Sequence, residues 1–182
     1  ALERARVASE LVGEVFVGNV LSAGIGQAPA RQAAIYGGIP NSVPCTTVNK
    51  VCGSGLQAVV LGAKSLLLGD AEIAVAGGME SMSNVPHYLT ASRTGYRLGD
   101  GKLVDGVVFD GLWDPYNDFH MGRAGEICAR EYGLDRAAQD AFARESYRRA
   151  REASESGAFK AEIVPVSIQK KKGDPELVAI DE

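Results

Sequence analysis

Cys52 is the residue of this 182-residue chain best placed to do chemistry. It stands in Thr46-Thr47-Val48-Asn49-Lys50-Val51-Cys52-Gly53-Ser54-Gly55-Leu56-Gln57-Ala58, a β-rich run that turns at Cys-Gly-Ser-Gly and continues as an apolar helical pattern. A cysteine at a strand-to-helix turn faces helical N–H groups that have no partner within the helix. Those donors and the positive end of the helix dipole favour the thiolate, the nucleophilic form of sulfur. Gly53 and Gly55 let other backbone, or a substrate, come close. Cys45, after Pro44 at a strand start, and Cys128, within a helical stretch, lack this setting and are expected to be structural.

The arrangement parallels the nucleophile elbow of serine hydrolases, built around sulfur. Covalent catalysis there needs a base or a lowered pKa, and donors for an oxyanion. The Cys52 N–H supplies one donor. For a base the chain offers only His87 and His120. From the residues alone His120 is the choice, beside Met121 and among aromatics; His87 is expected to be structural.

The elements that must position these residues alternate strand and helix. Ala1 to about Ser9 reads as the end of a helix, and Gly13 to Val20 as a strand with Val15, Val17 and Asn19 on one face and Glu14, Phe16 and Gly18 on the other. Gly24-Ile25-Gly26 lacks the third glycine of a dinucleotide fingerprint and reads as a turn. Pro29 to Ile35 is a short helix, and the nucleophile helix, with Leu56, Val59, Val60, Ala63, Leu66 and Leu67 at helix spacing, stops at Gly69. Glu72 to Ala76 is a strand ending at Gly77-Gly78. This alternation predicts a parallel α/β layer with ligands at the carboxyl ends of its strands, where Cys52 and Gly77-Gly78 sit.

Asn84 to Asp118 is rich in Gly, Asp and aromatics, a long irregular stretch of the kind that carries function. Leu98 to Phe109 is expected to form a hairpin turning at Gly99-Asp100-Gly101. A helix from Met121 to Tyr132 ends at Gly133. Another starts at the N-cap Asp135, with Leu134, Ala138, Ala141 and Phe142 on its inner face and charged later turns toward water. Glu162 to Gln169 reads as a strand.

Val48-Asn49-Lys50-Val51-Cys52-Gly53-Ser54-Gly55 resembles the acylated-cysteine motif of the thiolases, Ala76-Gly77-Gly78-Met79-Glu80-Ser81-Met82-Ser83 their second fingerprint, and His120-Met121-Gly122 a third. Order and separation fit along essentially the whole chain. The likeness is to the acetyl-CoA acetyltransferase branch, with Gly53 where many relatives carry alanine. The resemblance implies a thiolase-like α/β fold. Residues 1–83 would be part of the N-terminal domain carrying the nucleophile, and residues 84–182 part of a coenzyme-binding and tetramerisation loop domain.

It also implies a chemistry: two acetyl-CoA give CoA and acetoacetyl-CoA through an acetyl-Cys52 intermediate, with coenzyme A as part of the substrate and no covalently bound cofactor. A 3-ketoacyl-CoA thiolase of broader chain length, or a non-catalytic CoA- or lipid-binding relative, are the rival readings. By the resemblance His120 is not the base but lies near the pantetheine thioester, with Met121 lining the acyl pocket and Leu112 contacting the coenzyme. The activating histidine and a second cysteine belong to a C-terminal half, and the expected assembly is a homodimer or homotetramer. Measured against the family, a first strand, much of a helix and about half the enzyme are expected to lie outside residues 1–182.

Composition is that of an ordinary soluble globular protein, at 46% hydrophobic and 23% charged residues. A net charge of −4 argues against nucleic acid as partner, and Lys170-Lys171-Lys172 reads as a solvated patch. Three widely spaced cysteines without a Cys-x-x-Cys pair, and two histidines, argue against a disulfide framework and a metal site. The expected compartment is reducing, cytoplasmic or organellar. No uninterrupted apolar run approaches the roughly 20 residues of a membrane span, so no membrane association is expected.

Overall fold

β-branched runs and their glycine stops become three short parallel strands. The structure, a computed structural model, describes residues 1–180. The chain opens with a single helical turn, α1 (Leu2–Ala5), and a 3-10 turn at Ser9–Leu11. It continues through β1 (Glu14–Gly18), α2 (Pro29–Tyr36), β2 (Cys45–Val48), α3 (Ser54–Leu68) and β3 (Ala74–Gly78). The sheet order is β2-β1-β3, all parallel, with Gly18 opposite both Val48 and Gly78. The carboxyl ends of all three strands therefore finish at one level, the level of Cys52.

The two faces of β1 divide as the alternation predicts. Val15 packs with Val12, Ala34, Ile39 and Val43 in the buried core on the α2 side. Glu14, Phe16 and Gly18 face α3: the Ser65 hydroxyl donates to the Glu14 carboxylate, and the space a Cβ would fill at Gly62 is bounded by Phe16, Ala74 and Ala76.

Helix α3 sits on the sheet through its small residues. Ser54, Ala58, Gly62 and Ser65 are buried, while Leu56 and Leu67 are 71% and 86% exposed. The helix is apolar on every side, and the stripe with the smallest side chains is the one that lets two backbones approach. With the turn before it, the helix forms an 18-residue stretch, Val51–Leu68, of mean hydropathy 1.5, long and apolar enough by composition to cross a membrane. Counting uninterrupted apolar runs misses this stretch, because Gln57, Lys64 and two serines punctuate it. Its packing on β1 and β3 is that of a helix in a protein layer.

The expected hairpin at Leu98–Phe109 does not form. Instead β4 (His87–Leu89) pairs antiparallel with β5 (Leu103–Asp105) across a long connection. Leu98 is fully exposed, and Asp105 ends the second strand by accepting from the N–H groups of Val107 (2.8 Å) and Val108 (3.4 Å). That cap starts a turn of π-helix, Val108–Leu112. A two-residue ladder follows, β6 (Trp113–Asp114) with β7 (Phe119–His120).

By internal packing the chain divides into a unit ending at Met121 and a second beginning at Gly122. The second contains nearly all of α4 (Met121–Glu131), then α5 (Arg136–Glu155), β8 (Val166–Ile168) and β9 (Glu176–Val178). Asp135 caps α5 as expected, its carboxylate accepting from the Ala138 N–H at 2.8 Å. The expected inner face of α5 is uncovered, with Phe142 79% exposed. Among the described residues of this unit the β8–β9 hairpin does not cover it, having only three residues per strand and none of them buried. Val166–Ile168 forms the core of the expected strand, whereas Ile163 and Val164 precede it and the partner strand β9 had no sequence signal.

Candidate functional site

The turn from β2 into α3 is pinned by two short polar side chains. Asn49 Oδ1 accepts from the Val51 N–H at 3.0 Å. Ser54 Oγ accepts from the Lys50 N–H at 2.8 Å and donates to the Val51 carbonyl at 2.5 Å. Between them Val51 is held at φ +49°, a left-handed conformation that a β-branched residue adopts at a cost of about 1–3 kcal/mol. Cys52 follows it directly, and Gly53 caps α3. Cys52 is thus exposed on a turn whose backbone is forced into shape from both sides. Neither Asn49 nor Ser54 was singled out by the sequence, although Asn at the head of a turn and Ser at the first helical position are the types that make such bonds.

Cys52 borders a cleft of about 310 Å³ between Gly18 and Val20 beyond β1, Gly55 on α3, and Gly78, Met79 and Glu80 beyond β3. The walls are backbone against backbone. A Cβ on Gly18 would lie 2.4 Å from the Ser54 carbonyl carbon and 2.5 Å from the Gly55 nitrogen; one on Gly78 would lie 3.2 Å from the Gly55 Cα. Gly18→Ala in the full-length protein is therefore expected to destabilise by about 3 kcal/mol or more. Thermal melting checks this; an unchanged melting temperature would mean that β1 and α3 separate readily enough to admit a methyl group. Gly53 is different: a Cβ there meets only the Lys50 carbonyl at 3.5 Å, so alanine fits.

The other cysteines have other surroundings. Burial pushes the Cys45 thiol up, opposed by the charge of Arg31, and Cys45 donates to the Val43 carbonyl at 3.3 Å. Cys128 is exposed on α4.

Leu112, His120 and Met121 lie together, apart from the Cys52 cleft. Leu112 ends the π turn, the following Trp113 pairs in register with His120, and Met121 opens α4. None of the three lines the cleft. The π turn is braced from β4. The Tyr88 hydroxyl donates to Asp110 at 2.6 Å, and the Tyr88 ring meets Phe109 edge-on, centroids 6.5 Å apart. Gly111 approaches Leu21, where a Cβ would be 3.3 Å from its side chain. His87 stands opposite Asp105, its Nε2 4.0 Å from the carboxylate.

The hydrogen bond to Asp110, with burial and the charges of Asp110 and Asp105, pushes the Tyr88 phenol up to about 12. Its folded pKa is raised, so the stability this bond contributes is complete below the ordinary value of 10.0 and is lost as pH rises through about 12. In the full-length protein, ultraviolet titration is expected to show a late tyrosinate that disappears in Asp110→Ala and in Tyr88→Phe. A titration curve unchanged by Asp110→Ala would exclude the brace.

Residues 1–182 match the family described as "Thiolase, N-terminal domain". An acetyl-CoA acetyltransferase of Cupriavidus necator is 57% identical over 182 residues, covering 100% of this chain and 46% of the relative. That of Schizosaccharomyces pombe is 53% identical over 183 residues, again 100% of this chain and 46% of the relative. A cytosolic acetyl-CoA acetyltransferase, ERG10, of Gibberella zeae is 53% identical over 177 residues, 97% of this chain and 44% of the relative. The chain thus spans a little under half the length of these relatives. Among solved structures, the Acat5 thiolase of Ascaris suum in complex with coenzyme A superposes with a TM-score of 0.87 at 44% identity, covering 91% of this chain and 43% of that one.

Proposed function

This chain belongs to the thiolase family, as its N-terminal domain, and from that premise we propose that the full-length protein carrying it transfers acetyl groups between CoA thioesters through Cys52. The observation that carries the reading is the forced turn that leaves Cys52 exposed at the head of α3, in a chain more than half identical to acetyl-CoA acetyltransferases. Those names favour two-carbon transfer over the longer-chain 3-ketoacyl-CoA reading. The intact elbow favours an enzyme over a non-catalytic CoA- or lipid-binding relative.

In the first half-reaction the Cys52 thiolate adds to the carbonyl carbon of acetyl-CoA. The carbon–sulfur bond to CoA breaks, and CoA leaves as a thiolate that takes up a proton. In the second, another acetyl-CoA loses an α-proton to a base, and its carbanion adds to the acetyl-Cys52 carbonyl. Breaking the bond to Cys52 then frees acetoacetyl-CoA and regenerates the thiolate. A thioester suits both steps, because sulfur delocalises poorly into the carbonyl and leaves it electrophilic. Within residues 1–182, Cys52 is the nucleophile, Leu112 and His120 contact the coenzyme and its pantetheine thioester, and Met121 lines the acyl pocket. The base that accepts the α-proton is assigned to the remainder of the enzyme.

In this reading residues 1–83 carry the nucleophile and residues 84–182 the coenzyme-binding loop domain. The protein works as a homodimer or homotetramer in the cytosol. The test is chemical. In the full-length protein iodoacetamide is expected to label Cys52 well before Cys45, which is half-buried with its thiol pushed up, and before Cys128, which has no elbow; acetyl-CoA should protect Cys52 and leave it acetylated on acid quenching. Peptide mapping that found equal labelling, or no acetyl-Cys52, would sink the proposal.

A further inference from the structure

Glu80 accepts three hydrogen bonds from one short segment. Its Oε1 accepts from the Asn19 side-chain amide at 2.8 Å and the Leu21 N–H at 3.0 Å, and its Oε2 from the Val20 N–H at 3.0 Å. Asn19, 3% exposed, doubles the link: its amide also donates to the Met79 carbonyl at 3.0 Å, and its carbonyl oxygen accepts from the Ser22 hydroxyl at 2.6 Å. The Met79 N–H donates to the Gly18 carbonyl at 2.9 Å. The carboxylate therefore ties the segment leaving β1 to the segment leaving β3, just past the last paired residues of each strand.

The tied segment faces two ways. Val20 and Glu80 are walls of the Cys52 cleft. Leu21, the next residue, packs against Gly111 of the π turn that ends at Leu112. One carboxylate thus sets both a wall beside the nucleophile and the support beneath the turn carrying Leu112.

We propose that Glu80 is a positioning residue for the acyl transfer, fixing residues 19–21 between the Cys52 cleft and the Leu112 turn so that nucleophile and coenzyme contacts stay in register. This rests on the functional reading above. Three converging donors make the carboxylate hard to replace: an amide in its place puts a donor against a donor, and a buried Asn19 cannot turn to water instead.

The test uses full-length protein with Glu80→Gln, measuring the melting temperature, the rate of Cys52 alkylation by iodoacetamide, and kcat and KM for acetoacetyl-CoA thiolysis. Below the melting temperature, kcat/KM is expected to fall by about 10²-fold, the scale of a small misplacement of reacting groups. The fall should be divided between a lower kcat and a higher KM, and the alkylation rate should change with it. A lower melting temperature with wild-type alkylation, kcat and KM would mean that Glu80 only holds the fold, and would overturn the proposal. Where Glu80→Gln does not fold, Leu21→Ala serves: it keeps the backbone N–H bond to Glu80 and cuts back the buried side chain that meets Gly111 and lines the neighbouring pocket with Ile25 and Pro29. It is expected to raise KM several-fold with Cys52 alkylation unchanged; an unchanged KM would overturn the coupling. If wild-type protein shows no thiolysis, the functional reading has failed, and alkylation alone then judges the clamp.

Discussion

Cys52→Ala in the full-length protein is expected to lower acetoacetyl-CoA thiolysis by about 10⁶-fold, the scale of removing a covalent nucleophile from a coupled catalytic set. The loss should fall in kcat. Alanine removes one sulfur from an exposed turn whose shape is set by Asn49, Ser54 and Gly53, so the fold has no reason to change. Leu112, His120 and Met121 lie outside the Cys52 cleft, so coenzyme A is expected to bind the variant within a few-fold of its wild-type affinity. Cys52→Ser should fare little better, because a hydroxyl at the same place is a far weaker nucleophile at neutral pH. Stopped assays with a mass readout complete the measurement: acetyl transfer to the Cys52 peptide should vanish in both variants. An alanine variant that kept even a hundredth of wild-type turnover would show that the acyl group travels by another route.

The placement of that sulfur was readable from the sequence because it depends on local signals. β-branched residues before Cys52, glycines after it and a helix ending at Gly69 specify strand, turn and helix without help from the rest of the chain. The alternation along β1 was readable for the same reason: Val15 and Glu14 face opposite layers as period two requires. What resisted reading depends on contacts distant in sequence. The Glu80 carboxylate meets Asn19, Val20 and Leu21 some sixty positions away, and only pairing of β1 with β3 brings them together. The hairpin at Leu98–Phe109 failed because a Gly-Asp-Gly triplet marks a bend but not which strands flank it; the partner of β5 was β4. The strain at Val51 carries no sequence signal at all, since a β-branched residue at positive φ is what propensity argues against.

Residues 1–182 expressed alone are expected to show no thiolase turnover and to aggregate. Two separate losses lead there. The first is chemical: on the proposed mechanism the α-proton goes to a base outside this chain, and removal of a general base costs about 10²–10⁴-fold before any coupling with the nucleophile is counted. The second is physical. Leu56, Val59, Leu66, Leu67 and Leu68 are all exposed along α3, with Lys64 the only charged residue of that helix. A continuous apolar face of this kind is covered by something in a stable protein or else associates. The sheet adds to the problem, because β2 and β3 are both edges of a three-stranded layer and present unpaired N–H and carbonyl groups to any other chain. Light scattering on freshly purified fragment is expected to show polydisperse oligomers, and charged substitutions on the exposed face, Leu67→Lys and Leu56→Glu, should raise its solubility without restoring activity. A monodisperse monomer with wild-type, Cys52-dependent turnover would remove both arguments at once: the base would have to be found within these residues, and the outer face of α3 would need no cover.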